Sequence, residues 1–227
     1  MRITSSMATL LAPVALFTAV NASANETPNP REIYIQSINY NGTGCPLGTV
    51  AENVSPDGQA FTLTFSDYIA EASQWASPRD ARKNCQITLN LNVPSGFQYT
   101  VASFDYRGFL DLQKGTKANY STSYYFQGDS QTVRTNTSWD TLRPVRGVYP
   151  APDWNGDIYG PFSFTQKVGI TSLVWSRCGV QRALNVNTSM AVSVDRRNHA
   201  DAEAFIGTDS IDGNFKQKFA LMWRRCR

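Results

Sequence analysis

The sequence predicts an all-β fold: an antiparallel β-sandwich or jelly-roll-like single domain with two disulfides. Three observations carry that expectation. Apolar and polar residues alternate with period two through much of the chain, as they do in strands with one wet face. Clusters of turn residues punctuate these runs. Four cysteines follow a leader-like start in a chain of 227 residues, of which 41% are hydrophobic, 12% aromatic and 17% charged. Such a composition excludes an intrinsically disordered chain. The low charge, without richness in Ala, Glu, Lys and Leu, argues against a coiled coil or helical bundle.

Residues 1–24 read as a secretory signal peptide. Arg2 gives the positive start, Leu10-Leu11-Ala12-Pro13-Val14-Ala15-Leu16-Phe17 the short apolar region, and Ala22-Ser23-Ala24 the small residues at the cleavage positions. The apolar run is shorter than the roughly 20 residues that span a bilayer, and Pro13 interrupts it. No later run has spanning length, so residues 25–227 are expected to form one secreted β-rich domain without a transmembrane segment.

The alternation then marks the strands in order. Phe61, Leu63 and Phe65 alternate with Thr62 and Thr64. Ile87, Leu89, Leu91 and Val93 alternate with Thr88, Asn90 and Asn92, and Cys85 shares the apolar parity, pointing it to the core. Phe162, Phe164, Val168 and Ile170 continue the pattern. Leu184, Val186, Met190, Val192 and Val194 oppose Asn185, Asn187, Ser189, Ser193 and Asp195, which places Asn187 outward. Phe215, Phe219, Leu221 and Trp223 close the series. Turn signals fall at Asn41-Gly42, Pro56-Asp57-Gly58, Pro94-Ser95-Gly96, Gln127-Gly128-Asp129 and Asp212-Gly213-Asn214. The best helical candidate is 67–75. There is no internal repeat and no Gly/Ser linker to divide the chain.

One stretch departs from this pattern. Residues 139–161 hold four prolines and three glycines together with Trp139, Tyr149, Trp154 and Tyr159. Long loops inside compact domains are often functional. Planar rings stack on sugar faces and anchor protein interfaces, and Asp and Asn beside them bind hydroxyls. Trp139, Tyr149, Asp153, Trp154, Asn155 and Tyr159 are therefore the candidate ligand-binding residues. Asp153-Trp154-Asn155-Gly156-Asp157 is a fragment of a calcium-loop pattern, but its sixth position is Ile158 and its twelfth Phe164, so it reads as a polar turn.

Cys45, Cys85, Cys178 and Cys226 allow three pairings. Cys45–Cys85 with Cys178–Cys226 is favoured, because each then joins segments within one half of the chain. No Cys-x-x-Cys pair exists and His199 is the sole histidine, so neither a zinc site nor any other metal or cofactor is expected. Beyond the expected leader, Asn-x-Ser/Thr sequons stand at Asn25, Asn41, Asn53, Asn119, Asn136 and Asn187. About two to three would arise by chance, so the excess suggests a glycoprotein.

A net charge of +3 is too balanced for nucleic-acid binding. A Ser-His-Asp or Cys-His set would have to use His199, which lies in a polar segment away from any Gly-x-Ser-x-Gly motif, and no such motif is present. Catalytic residues are therefore not assigned. Hydrolysis would need two carboxyls about 5–9 Å apart across a cleft. Asp57, Asp67, Glu71, Asp105, Asp111, Asp153, Asp157 and Asp209 could supply them.

An ordered series of short motifs carries a family resemblance. Asn41-Gly42-Thr43-Gly44-Cys45-Pro46 is followed by Asp57-Gly58-Gln59 with Phe61, Asn84-Cys85-Gln86, Val93-Pro94-Ser95-Gly96 with Tyr99, and Tyr106-Arg107-Gly108. Gly115, Tyr125-Phe126-Gln127-Gly128 and Cys178 with Leu184-Asn185-Val186-Asn187-Thr188 complete it. Together they resemble the family known as domain of unknown function 4360, small secreted proteins, over essentially the whole mature chain. Ser176-Arg177-Cys178 departs from the Ser-Pro-Cys-like approach expected there. The resemblance implies a secreted, disulfide-bonded domain and supplies no activity.

The function expected from these readings is that of a non-enzymatic extracellular or cell-surface interaction protein. Its partner would be a cell-wall glycan or another extracellular protein, met through the aromatic loop. The alternatives are an extracellular polysaccharide hydrolase using two carboxylates and a secreted membrane-active effector.

Overall fold

The structure, a computed structural model, describes residues 27–207 and 215–226. The expected leader, Asn25, Asp209 and the turn signal at 212–214 lie outside the described residues. Twelve strands follow in chain order: β1 (Ile35–Asn41), β2 (Val50–Val54), β3 (Ala60–Phe65), β4 (Ala70–Ala72), β5 (Arg82–Leu91), β6 (Phe97–Leu112), β7 (Thr116–Phe126), β8 (Val133–Asp140), β9 (Ile158–Lys167), β10 (Leu184–Val194), β11 (Ala204–Gly207) and β12 (Phe215–Arg225). The only helical turns among the described residues are single 3-10 turns at Pro30–Glu32 and Ile170–Ser172. No helix among them is long and apolar enough to cross a membrane. The segment 67–75, the best helical candidate in sequence, contains β4 instead, where Ala70 faces the core and Glu71 the solvent.

Two antiparallel sheets face each other. Sheet one runs β1-β5-β10-β7-β8. Sheet two is organised on the 16-residue strand β6. Along one edge of β6 lie β12 and then β11, with β3 and β2 beyond β12 and β4 beyond β11; along the other edge lies β9. The inward residues are those of the apolar parity. Ile87, Leu89, Val186 and Met190 come from sheet one, and Phe61, Leu63, Phe104 and Phe219 from sheet two. Rings dominate the packing between sheets. Tyr106 of sheet two meets Tyr120 of sheet one edge-on at 4.7 Å, while Phe61 and Phe219, neighbours within sheet two, stack at 4.3 Å with planes 9° apart. Pairs of this kind add about 0.5–1.5 kcal/mol beyond the area they bury.

Cys45–Cys85 and Cys178–Cys226 are both bonded, the pairing favoured from the sequence. The first clips the loop after β1 onto β5. The second ties the segment before β10 to the end of β12, and so joins the sheets. Gly42, between β1 and Cys45, has no substitute: a Cβ there would lie 2.1 Å from the carbonyl oxygen of Asn84. Gly115, with φ +93°, turns β6 into β7 under the half-buried His199 ring, which a Cβ would meet at 2.3 Å.

The long aromatic loop is shorter than its sequence suggests. Trp139 belongs to β8, and Ile158 opens β9, so the connection is 141–157. Trp139 is 2% exposed and packs on Phe162 at 4.9 Å and on Phe164 at 5.7 Å. Its indole N–H donates to the Tyr149 carbonyl at 3.2 Å, holding the loop on the sandwich. This corrects the expectation that Trp139 offers its ring to a ligand: on β8 it shares the inward parity of Val133.

Candidate functional site

The register of sheet two brings together residues far apart in sequence. Glu71 of β4, Phe205 of β11, Asp111 of β6 and Tyr159 of β9 stand side by side in one row on the outer face. A second row lies one step further along, where Gln113 and Glu203 extend the ladder. The Gln113 N–H donates to the Glu203 carbonyl at 3.0 Å, and the Glu203 N–H donates to the Gln113 side-chain oxygen at 2.9 Å. At a strand spacing of about 4.8 Å, the four strands span about 14 Å. The rows border a cleft of about 480 Å³.

Tyr159 is the exposed ring of this cleft, 70% accessible. Phe109, buried beneath, meets it edge-on at 5.0 Å and props it upright. Around it gather carboxylates. Partial burial pushes the Asp111 carboxyl above the usual carboxylate range, and the charges of Asp157 and Glu203 push it further. The Asp157 carboxylate accepts the Lys114 N–H at 2.7 Å, which fixes it at the rim. Among the described residues, no three His, Cys, Asp or Glu side chains are grouped to hold a metal ion.

Two exposed indoles stand on loops that lead from the strands of the cleft. Trp154 is 92% exposed at the tip of the turn that enters β9. Asp153 builds this turn: its carboxylate accepts the N–H groups of Asn155 at 2.8 Å and of Asp157 at 2.9 Å. Asp153 is thus a scaffold for the tip, and Asn155 stands exposed beside Trp154. Trp75, 89% exposed, sits on the loop leaving β4. The Ser73 hydroxyl accepts the N–H groups of Trp75 and Ala76, and the Gln74 amide reaches Asp201 at 2.6 Å. Tyr149 is exposed on the loop 141–157 and does not line the cleft.

Of the six candidate residues, Tyr159 lines the cleft, Trp154 and Asn155 stand at the tip beside it, and Trp139 is in the core. Sequence reasoning missed Trp75, Phe109, Glu203 and Phe205. Phe205 lies on a strand of four residues, too short for periodicity to show. Among the carboxylates considered, Glu71, Asp111 and Asp157 fall on this face.

A second cavity, about 250 Å³, opens beside the Cys178–Cys226 bridge between the turn 93–97 and the segment 176–182. The Tyr99 hydroxyl and the Arg182 Nε border it, both buried and without a hydrogen-bond partner.

The fold and the site define a disulfide-stapled extracellular β-sandwich with an aromatic and acidic cleft on one outer face. Residues 31–226 match the family described as domain of unknown function (DUF4360). The chain belongs to that family. A relative from Arthroderma benhamiae, an uncharacterized secreted protein, is 36% identical over 199 residues, covering 88% of this chain and 74% of the relative. This protein is likewise secreted, in keeping with its two disulfides. Among solved structures, TmCBM61 in complex with beta-1,4-galactotriose aligns over 84% of this chain and 90% of its own. The identity is 11% and the TM-score 0.27, too distant to transfer anything to this chain.

Proposed function

We propose that the protein is a non-enzymatic extracellular interaction module that binds a neutral cell-wall polysaccharide across the outer face of sheet two. The observation that carries the reading is the Tyr159 ring, exposed in a cleft and propped by Phe109. A ring held in this way stacks on a sugar face with little loss of side-chain freedom. Asp111, Glu203 and Gln113 supply hydroxyl acceptors beside it. Trp75 and Trp154, exposed on the loops that leave β4 and enter β9, supply further rings for a longer chain. The same carboxylates repel polyanions, so acidic polysaccharides are excluded on charge.

The test is retention of the secreted protein on insoluble chitin, β-glucan and cellulose. At least one matrix should retain it, and Tyr159→Ala should weaken that retention about 5- to 30-fold, the equivalent of about 1–2 kcal/mol of stacking. A lack of retention on every neutral matrix, or retention indifferent to Tyr159→Ala, overturns the reading.

The raised Asp111 carboxyl favours a second reading, hydrolysis of the bound glycan. A glycosidase pairs a carboxyl whose pKa is raised with a second carboxyl across its cleft. Release of reducing sugar, abolished by Asp111→Asn while the variant is still retained on the matrix, even if more weakly, would establish it.

A further inference from the structure

Five sequon asparagines fall within the described residues, and their side chains differ from those of the other asparagines. Asn41, Asn53, Asn119, Asn136 and Asn187 face outward, and none of their side-chain amides makes a hydrogen bond within the described structure. Asn29, Asn84, Asn90, Asn92, Asn185 and Asn198, which lie outside sequons, all use their side chains in hydrogen bonds. Among the described residues, only Asn39 and Asn155 share the lack. A glycan replaces one hydrogen of the side-chain amide nitrogen, so an amide with no internal hydrogen bonds carries one without disturbing any.

Four of the five share one face. Asn41 on β1, Asn187 on β10, Asn119 on β7 and Asn136 on β8 all lie on the outer side of sheet one. Asn41 and Asn187 flank Gln86 in one row, about 10 Å apart across two strand spacings. Asn136 lies opposite Ser121, two residues from Asn119. The period of the strand also sets the acceptor chemistry. Residues i and i+2 point the same way, so Ser121, Ser138 and Ser189 present their hydroxyls beside Asn119, Asn136 and Asn187. The rest of the face is mostly hydroxyl and amide side chains, with Arg82, Arg134 and the Lys117–Asp140 ion pair among them and no exposed aromatic platform. Asn53 stands apart on β2, at the edge of sheet two remote from the cleft.

We infer that N-glycans attached at Asn41, Asn119, Asn136 and Asn187 sheath the outer face of sheet one, leaving the outer face of sheet two as the one broad surface open to a ligand or partner. The two faces of the sandwich then have opposite duties. One is a hydrated carbohydrate coat, and the other is a contact surface whose rings and carboxylates are unshielded.

The experiment uses the full chain secreted from a eukaryotic host. Enzymatic release of N-glycans in heavy-oxygen water converts each occupied asparagine to a labelled aspartate, which peptide mass spectrometry reads site by site. The expected result is label at all four sheet-one sites. A second readout is the intact mass. Each single Asn→Gln change should remove the mass of one glycan, and the fourfold variant should keep only glycans outside sheet one. Secreted protein unlabelled at three or more of these four sites overturns the inference. Because the label is read on the unaltered protein, a variant that fails to fold does not blur the result. Occupancy is also independent of whether the cleft retains a polysaccharide, so the two proposals fail separately.

Discussion

Tyr99 is buried between Phe126, which it meets edge-on at 5.2 Å, and Trp223 at 5.5 Å, and its hydroxyl has no partner. A buried hydroxyl without a hydrogen bond costs about 1–3 kcal/mol in desolvation. Tyr99→Phe keeps the ring contacts and removes that cost, so urea unfolding should show the variant unchanged or up to about 1 kcal/mol more stable. A loss of stability would mean that the hydroxyl is satisfied by water in the adjoining cavity. Residue parity explains both what could be read of the site from sequence and what could not. Tyr159 and Trp154 were legible because rings in a Pro- and Gly-rich stretch are conspicuous. The same conspicuousness misplaced Trp139, whose inward parity with Val133 becomes visible only once β8 is known to extend to Asp140. Phe109, Glu203 and Phe205 reach the cleft from two separate stretches of chain, and Trp75 stands on the loop beyond β4. Only cross-strand register unites them, and register is a long-range property.

At the scale of elements, the alternating runs became β3, β5, β9, β10 and β12, because a period of two is enforced wherever one face is buried. β6 and β7 were less legible, since both carry polar side chains inward. Thr100 of β6 and Thr122 of β7 are buried, as is Gln217 of β12, which joins the two sheets. The Tyr120 hydroxyl of β7 donates to the Gln217 side-chain oxygen at 3.1 Å, and the Gln217 amide donates to the Thr122 hydroxyl at 3.1 Å. An amide so placed fixes the register of β12 against β7 across the core, which rings alone leave loosely specified. Gln217→Ala removes both bonds and opens a cavity, at a cost of about 2–4 kcal/mol by urea unfolding. Combined with Thr122→Val, the loss should fall short of the sum of the two single losses by about 0.5 kcal/mol or more. Strict additivity would show that Gln217 acts only by filling space.

The whole molecule depends on tyrosines kept un-ionised between the sheets. Burial pushes the hydroxyls of Tyr68, Tyr99, Tyr106, Tyr120 and Tyr124 up, that of Tyr106 to about 12. Below about pH 9 all five are protonated in both the folded and the unfolded chain, so they add no pH dependence. Above the unfolded value of about 10 the unfolded chain sheds these protons while the folded chain keeps them, so stability falls as pH rises. Each such group that stays protonated removes about 1.4 kcal/mol by pH 11 and about twice that by pH 12. Several together are a large share of the stability of an ordinary domain, about 5–15 kcal/mol. The disulfides, closing loops of 40 and 48 residues, delay the collapse by restricting the unfolded chain, worth about 4 kcal/mol each in the chain-entropy account. In a rapid pH-jump series, tyrosinate absorbance from the buried set should therefore rise together with the loss of the β-sheet circular dichroism signal, between about pH 11 and 12. The reduced protein should make the same transition at lower pH. Ionisation of every tyrosine near pH 10 with the sheet signal intact would mean that the rings are not sealed between the sheets and that the sandwich admits water through its core.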